Sequence, residues 1–162
     1  HLAANYVVMD GEQMNFSDNK FDLIVDYGTF SSLDMQLALP ELIRVLKPNG
    51  TIIAVETLGH NPLFNLKRKL NLLQGMRTAW AVRHIMKMSD WQRIKVHFHS
   101  VEIDYFGLTS LIIAPIIRLF SEKIQTHLMR ICATMDRQLF KVKMMRPYAF
   151  KTVLQLTATN HS

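Results

Sequence analysis

The chain has a single cysteine, Cys132, among its 162 residues. One thiol cannot form a disulfide framework within the chain, and a reducing compartment follows from that. The run around Cys132 reads as a helix, so the residue is interpreted as a small core side chain. No secretory signal opens the sequence, and we predict a cytoplasmic location. The first residue is His1 rather than Met, and we expect further sequence upstream of it.

Long hydrophobic runs are also missing. The most apolar stretch, Leu108–Phe120, is too short to cross a bilayer and contains Arg118. Three readings remain open for it. It is a lid over a hydrophobic acceptor pocket, a peripheral membrane contact with Arg118, Lys123 and Arg130 facing anionic head groups, or an ordinary core helix kinked at Pro115.

Cations are scarce in the first part of the chain and aromatic residues are scarce throughout. Residues 1–60 hold three Lys/Arg and eight Asp/Glu, whereas residues 61–162 hold sixteen Lys/Arg and five Asp/Glu. The basic part has dispersed cations, and aromatic residues make up only 9% of the chain without an interleaved stacking pattern, which argues against nucleic-acid binding. A hydrophobic content of 49% over this length predicts one folded domain, residues 1–162.

The apolar runs in the first sixty residues alternate with a helical pattern. Asn5–Asp10, Lys20–Gly28 and Thr51–Gly59 read as buried strands, each stopped by turn residues. Leu residues at helical spacing between Leu33 and Leu46 predict a helix that ends at Lys47-Pro-Asn-Gly50. Strands that are apolar on both faces and alternate with helices indicate an α/β fold with a parallel sheet.

Polar clusters follow each of these strands. They are Asp10–Glu12, Asp26–Gly28 and Glu56–Asn61. Ligands of such sheets bind beyond the carboxyl ends of the strands, so we expect the three clusters to lie near one site.

The stretches Val7–Val25 and Leu39–Glu56 resemble the later part of class I S-adenosylmethionine-dependent methyltransferases, of the type called methyltransferase domain 11. The run Pro147–Leu156 resembles the closing antiparallel strand of that family. The resemblance implies a partial Rossmann-like sheet of parallel strands with an antiparallel carboxy-terminal strand and helices on its faces. Residues 1–60 would form the cofactor side and residues 61–162 the acceptor side.

The cofactor implied by this resemblance is S-adenosyl-L-methionine. Asp10 matches the acidic residue that accepts the adenine amino group, with Gly11 and Glu12 near the ring and Met14 as an apolar wall. Asp10 alternatively caps a turn.

Three residues at the next strand end, Asp26, Tyr27 and Gly28, match the positions that face the sulfonium and the acceptor. The family often has a His a few positions later, but Thr29–Ser32 stands there, so the catalytic group is unassigned. The candidates are His60 and Tyr27.

Other polar residues are candidates for the acceptor side, namely His60, Asn61, Arg77 and His84. His60 suits a base or a substrate hydrogen bond, or it only shapes its turn. Arg77 and His84 either point into the site or are solvated. His97 and His99 have no Cys partner, so no metal site is predicted.

The Gly-rich loop that holds the methionine part of the cofactor in the family does not occur in this chain. We therefore expect the chain to be the carboxy-terminal part of a methyltransferase for a small apolar acceptor, inactive alone and binding the cofactor with a dissociation constant above about 10 μM. The alternative is a non-catalytic binding or membrane-docking module.

The apolar, β-branched runs also predict sheet neighbours, and the strand order of the resembling family excludes one pairing. Phe21–Asp26 should pair in parallel with Thr51–Glu56, and Ala149–Leu156 should lie antiparallel beside the latter. Tyr6–Met9 should not pair with Phe21–Asp26, whose free edge would favour aggregation.

Overall fold

A computed structural model describes residues 4–76, 80 and 84–159 of the chain. The described residues form four strands, five α-helices and two 3-10 turns, Phe30–Ser32 and Lys143–Tyr148. The strands are β1 (Phe21–Tyr27), β2 (Leu46–Thr57), β3 (Phe98–Phe106) and β4 (Lys151–Ala158). The helices are α1 (Met35–Val45), α2 (Pro62–Leu73), α3 (Met88–Lys95), α4 (Thr109–Ile117) and α5 (Glu122–Leu139).

The strands form one mixed sheet in the order β1-β2-β4-β3. β1 and β2 are parallel, with Ile24 opposite Ile52, and β4 is antiparallel to both β2 and β3. The predicted pairings of Phe21–Asp26 with Thr51–Glu56, and of Thr51–Glu56 with the carboxy-terminal strand, are confirmed. The fold class is therefore an α/β fold with a partial Rossmann-like sheet.

Helix α1 connects the two parallel strands, and β2 begins directly after it. Asp34 caps its first turn by accepting a hydrogen bond from Gln36 N at 2.9 Å. Ala38, Leu39 and Leu42 are buried on one side of the helix, against the sheet. The strand that follows begins at Leu46, earlier than predicted, because Leu46 leaves the helical conformation and already pairs with Phe21.

The sheet has one covered face and one open face. Ile52, Ala54, Leu154 and Leu156 belong to the core on the covered face, together with Trp91 of α3. On the other face the side chains of β1 are exposed, as are acidic residues of β3. They are Leu23, Val25, Tyr27, Glu102 and Asp104.

The predicted strand at Tyr6–Met9 is wrong. This segment is irregular, and Tyr6, Val7 and Val8 are exposed. A strand is stabilised by hydrogen bonds to a neighbour, and among the described residues β1 pairs only with β2. The β-branched composition of the segment is therefore not sufficient to make it a strand.

The interpretation of Leu108–Phe120 as an ordinary core helix is also wrong. The helix forms as α4 and includes Pro115, but of its described side chains only Thr109 is buried. Cys132 of α5 is buried, as its interpretation required. Within the described residues no helix is both long and apolar enough to cross a membrane.

Candidate active site

Two buried carboxyl groups meet at the carboxyl edge of the parallel strands. Asp26 is near the end of β1 and lies opposite Ala54, and Glu56 follows two residues later on β2. Residues two apart in a strand share a face, so Asp26 and Glu56 point to the covered side of the sheet. Their side chains are within hydrogen-bonding distance of each other, and the residues are 6% and 1% exposed.

Both carboxyl groups of this pair have raised pKa values. Burial, and then the neighbouring charge of Asp26, raise the pKa of Glu56 to about 7. Burial also raises the pKa of Asp26, while the hydrogen bond from Glu56 opposes that shift. Asp26 Oδ2 and Glu56 Oε2 accept no hydrogen bond from any described donor. One proton shared between the two carboxyl groups accounts for these observations.

The loop after β1 closes over the pair through its backbone. Phe30 N donates to Glu56 Oε1 at 2.8 Å, and Thr29 N donates to Asp26 Oδ1 at 3.3 Å. Gly28 begins the loop with φ +80°, a conformation that favours glycine. A Cβ at Gly28 would meet no atom within 4 Å, so the backbone there faces open space. A ligand can approach this strand end closely.

The predicted adenine turn lies at the start of α1. Asp10 Oδ1 accepts a hydrogen bond from Glu12 N at 2.9 Å, so Asp10 does cap a turn, while its carboxylate remains exposed. Glu12 Oε1 in turn accepts from Asp34 N at 2.7 Å. Gly11 packs beside Leu33, which would be 3.3 Å from an added Cβ. The turn is therefore fastened to the helix that connects β1 and β2.

Met14 is held in place by charged residues of α1. Met14 N donates to Glu41 Oε2 at 2.8 Å, and Arg44 donates to Met14 O at 2.9 Å. Hydrogen bonds from Arg44, the larger influence, and from Met14 N lower the pKa of Glu41 to about 2. Arg44 also pairs with Asp18 at 2.6 Å. These contacts fix the backbone of the segment that follows the turn.

Tyr27 points away from the carboxyl pair. It is 72% exposed on the open face of the sheet, where its hydroxyl accepts a hydrogen bond from Lys151 Nζ at 2.7 Å. The Lys151 Nζ atom also lies 4.5 Å from the centre of the Tyr27 ring. The side chain therefore contacts the first residue of β4 on the open face, and not the carboxyl pair.

The two polar residues after β2 contact the protein itself. His60 Nε2 accepts a hydrogen bond from Met88 N at 3.1 Å, which joins this turn to the first residue of α3. Asn61 is buried, and its side-chain amide donates to Tyr148 O at 2.8 Å. The bond to Met88 requires the tautomer of His60 in which Nε2 carries no proton.

His84 stacks on Trp80 with ring centres 3.7 Å apart, and its Nδ1 lies 2.9 Å from Trp80 O. Arg77, the other predicted acceptor-side residue, lies outside the described residues. The structure thus brings Asp26 and Glu56 together, fastens Asp10–Met14 to α1, and leaves Tyr27 on the opposite face.

A cleft of about 1040 Å³ lies between α1 and α3. Its volume is at the upper end of the range for small-molecule sites, roughly 300–1,000 Å³. The lining combines apolar side chains, among them Phe30, Leu33, Leu39 and Met86, with His84 and with charged residues of both signs, among them Asp34, Asp90 and Arg93. Leu33 also contacts Gly11, so the cleft begins where the turn is fastened. Among the described residues no group of three His, Cys, Asp or Glu side chains is arranged to hold a metal ion.

Sequence reasoning missed the partnership of Asp26 with Glu56, although it placed both residues near one site. The available signal was an acidic residue near the end of each of two adjacent buried strands. To predict that the two acidic residues lie next to each other, one needs the register of β1 and β2, which the sequence alone does not give.

Comparison with known proteins relates the chain to methyltransferases. Residues 1–54 match the family model described as a methyltransferase domain. The described chain also superimposes on a SAM-dependent methyltransferase from Archaeoglobus fulgidus with a TM-score of 0.56 and 12% identity, covering 93% of this chain and 66% of that one. A phosphoethanolamine N-methyltransferase 2 from Haemonchus contortus, solved with S-adenosyl-L-methionine, superimposes with a TM-score of 0.54 and 13% identity. That match covers 94% of this chain and 36% of the Haemonchus chain. The family match is confined to residues 1–54, one third of the chain. The described residues have part of the class I methyltransferase fold.

Its curated relatives include ubiquinone/menaquinone biosynthesis C-methyltransferases UbiE. The protein from Idiomarina loihiensis is 40% identical over 52 residues, covering 32% of this chain and 21% of the relative. The protein from Shewanella halifaxensis is 34% identical over 67 residues, covering 41% of this chain and 26% of the relative. The matched part is thus about a fifth to a quarter of the length of these relatives.

Proposed function

We propose that the chain works, as part of a longer polypeptide, in S-adenosylmethionine-dependent methyl transfer to a carbon atom of a small apolar acceptor. The observation that carries the proposal is the buried Asp26–Glu56 pair beside the open backbone of Gly28. It lies at the sheet edge where α/β folds bind their ligands. Carbon as the methylated atom is proposed from the names of the relatives.

The residues present fit the adenosine end of the cofactor. Asp10 keeps an exposed carboxylate that can accept the adenine amino group even while its Oδ1 caps the turn. Gly11, Glu12 and Met14 hold that turn against α1 and would border the ring. Asp26, Tyr27 and Gly28 would contribute through the strand end, with Tyr27 acting through its backbone because its side chain lies on the other face.

S-adenosylmethionine would supply the methyl group from its sulfonium, and the protein would supply orientation and proton handling. A carbon acceptor loses a proton when it gains a methyl group. Glu56, with a pKa of about 7, can hold or release a proton near neutral pH at the end of β2. His60 keeps Nδ1 as a donor for the acceptor while Nε2 is engaged with Met88.

The acceptor is proposed to be an aromatic or quinone-like molecule. Two observations support this class. The relatives are C-methyltransferases of ubiquinone and menaquinone biosynthesis. The cleft next to Leu33 has apolar walls together with polar and charged groups of both signs, which suits a ring carrying oxygen atoms.

The test is methyl transfer by the chain expressed together with its upstream coding sequence. Labelled S-adenosylmethionine would be incubated with reduced quinone precursors, and the lipid extract counted. We expect transfer, with Glu56→Gln lowering kcat at least about tenfold at little change in the KM for the cofactor. Asp104→Asn, an exposed acid on β3, is the matched control and should be unchanged.

A second variant pair tests the cofactor side of the proposal. Asp10→Ala should weaken S-adenosylmethionine binding by about 1.5–3 kcal/mol, the value of a charge-assisted hydrogen bond, whereas His60→Ala should act mainly on turnover. Calorimetry and steady-state kinetics separate the two. Unchanged cofactor affinity in Asp10→Ala would remove Asp10 from the binding site. No methyl transfer to any quinol by a protein that binds the cofactor would refute the acceptor class.

A further inference from the structure

Helices α4 and α5 form a hairpin that is anchored at one end only. At the anchored end Thr109, Cys132, Asp136 and Phe140 are buried. Toward the other end the turn Arg118–Ser121, which we call the hairpin tip, is exposed. Gln125 fastens the tip by donating from its side-chain amide to Phe120 O at 2.7 Å. The hairpin therefore presents an ordered tip to its surroundings.

The exposed surface of this hairpin is unusually apolar. On α5, Ile124, Ile131 and Met135 follow one another at intervals of seven and four residues, so they lie on one face of the helix. All three are exposed by more than 40%, and Leu119 at the tip is 82% exposed. The apolar docking surface consists of Ile116, Leu119, Phe120, Ile124, Ile131 and Met135.

A row of cations runs along α5 on the polar side of the apolar row. Lys123, Arg130 and Arg137 recur every seven residues and are exposed. In the part of the chain that the structure describes, none of them forms an ion pair. At 100° per residue this row lies about 100–140° around the helix from Ile124, and the exposed polar residues His127, Thr134 and Gln138 lie between the two rows. Arg118 at the tip is exposed as well.

We propose that this surface docks on an anionic lipid bilayer. An interfacial helix inserts apolar side chains at the boundary between head groups and acyl chains, while Lys and Arg beside them contact anionic head groups. Helix α5 supplies both features, with the apolar row on one face and the cations about 100–140° around the helix from it. A nucleic-acid surface would attract the cations but would leave exposed Ile and Met side chains without a partner, so the lipid surface fits better.

The dimensions of the hairpin indicate a peripheral contact. Helix α4 has nine residues, and at a rise of 1.5 Å per residue it is about 14 Å long. The hydrocarbon core of a bilayer is about 30 Å thick. The hairpin can therefore enter one leaflet with its tip and with the apolar face of α5, but it cannot reach the other side.

The test is sedimentation of the full chain with vesicles of phosphatidylcholine alone or with 30% phosphatidylglycerol, at low and high salt. This lipid composition and the salt series probe the cation row without any substitution. We expect at least about tenfold stronger binding to the anionic vesicles, weakened by salt. Equal binding to both vesicle types would overturn the proposal, and so would the absence of binding to either.

Variants separate the two components of the surface. Lys123→Glu/Arg130→Glu/Arg137→Glu should abolish the preference for anionic vesicles, and Leu119→Ser/Ile124→Ser should reduce binding at least about tenfold. Leu73→Ser, at an equally exposed Leu of α2, is the matched control and should bind as the parent does. Loss of binding in Leu73→Ser, or unchanged binding in both test variants, would overturn the proposal. Circular dichroism checks the fold, and the salt series on the parent stays decisive if a variant unfolds. Binding to RNA in competition with vesicles would point to a nucleic-acid surface instead.

Discussion

Two buried acidic sites in this chain differ in how many of their oxygens have partners. Asp136 on α5 is 2% exposed and accepts four hydrogen bonds, from the backbone N of Gly107, Leu108 and Thr109 and from Thr109 Oγ1, at 2.7–3.2 Å. The Asp26–Glu56 pair is equally buried, but one oxygen of each residue has no described donor. The first carboxylate is fully satisfied, whereas the pair shares a proton.

The glycine beside each site differs in the same way. Gly107 and Gly28 both have positive φ, +87° and +80°. An added Cβ would lie 2.9 Å from Phe150 Cβ at Gly107 and would meet nothing within 4 Å at Gly28. The Asp136 site is therefore closed by packing, and the carboxyl pair has free space next to it. Asp136 thus has the contacts of a structural residue, whereas the carboxyl pair has beside it the space that the proposed chemistry requires.

The largest effect is expected at Asp136. Asp136→Ala leaves the N–H groups at the start of α4 buried without an acceptor, and it should lower the free energy of unfolding by about 3–5 kcal/mol. Urea unfolding followed by circular dichroism measures this. Asp104→Ala, at an exposed acid of β3, is the control and should stay within about 0.5 kcal/mol of the parent. Equal stability of the two variants would mean that Asp136 does not anchor the hairpin.

The next effect is a dependence of stability on pH. The folded-state pKa of Glu56, about 7, lies above its ordinary value of 4.5, so the folded chain binds more protons between these values. Its contribution to stability is present below pH 4.5 and is lost as the pH rises through 7, a change on the order of 2–3 kcal/mol. Glu56→Gln should flatten the stability profile between pH 5 and 8. A slope that persists unchanged in the variant would show that Glu56 titrates normally.

The smallest expected effect is the difference in stability between alanine variants of the two glycines. Gly28→Ala should cost about 1 kcal/mol, because an L-residue at positive φ is strained but has space. Gly107→Ala adds a clash with Phe150 and should cost at least about 1 kcal/mol more. Thermal unfolding of both variants gives the difference. If Gly28→Ala proved the more destabilising, the free space beside the carboxyl pair would not exist.

Local sequence patterns were sufficient to predict much of the fold. The apolar runs and the Leu spacing of α1 predicted the β1-α1-β2 unit and its parallel pairing, because each of these segments buries residues at its own period. The same reasoning failed at Tyr6–Met9, where composition favours a strand but a pairing neighbour among the described residues is missing. Strand propensity is realised only in a sheet.

The candidate site was less predictable, because its contacts join distant parts of the chain. Asp26 and Glu56 are thirty positions apart, and His60 meets Met88 across twenty-eight. The role of Asp136 depends on the turn at Gly107–Thr109, which the helical pattern of α5 does not indicate. The alternative interpretation of Asp10 as a turn cap was within reach of the sequence, because its hydrogen bond spans only two residues, while the favoured contact with the cofactor stays a prediction.

The two free edges of the sheet differ in the side chains that a further strand would meet. Among the described strands β1 and β3 are the two free edges. A strand added beside β1 would gain apolar neighbours, Leu23 and Val25, whereas at β3 it would meet Glu102 and Asp104. Charged side chains at an edge discourage pairing with another chain. Any enlargement of this sheet, within one polypeptide or between copies, is therefore expected to proceed from β1.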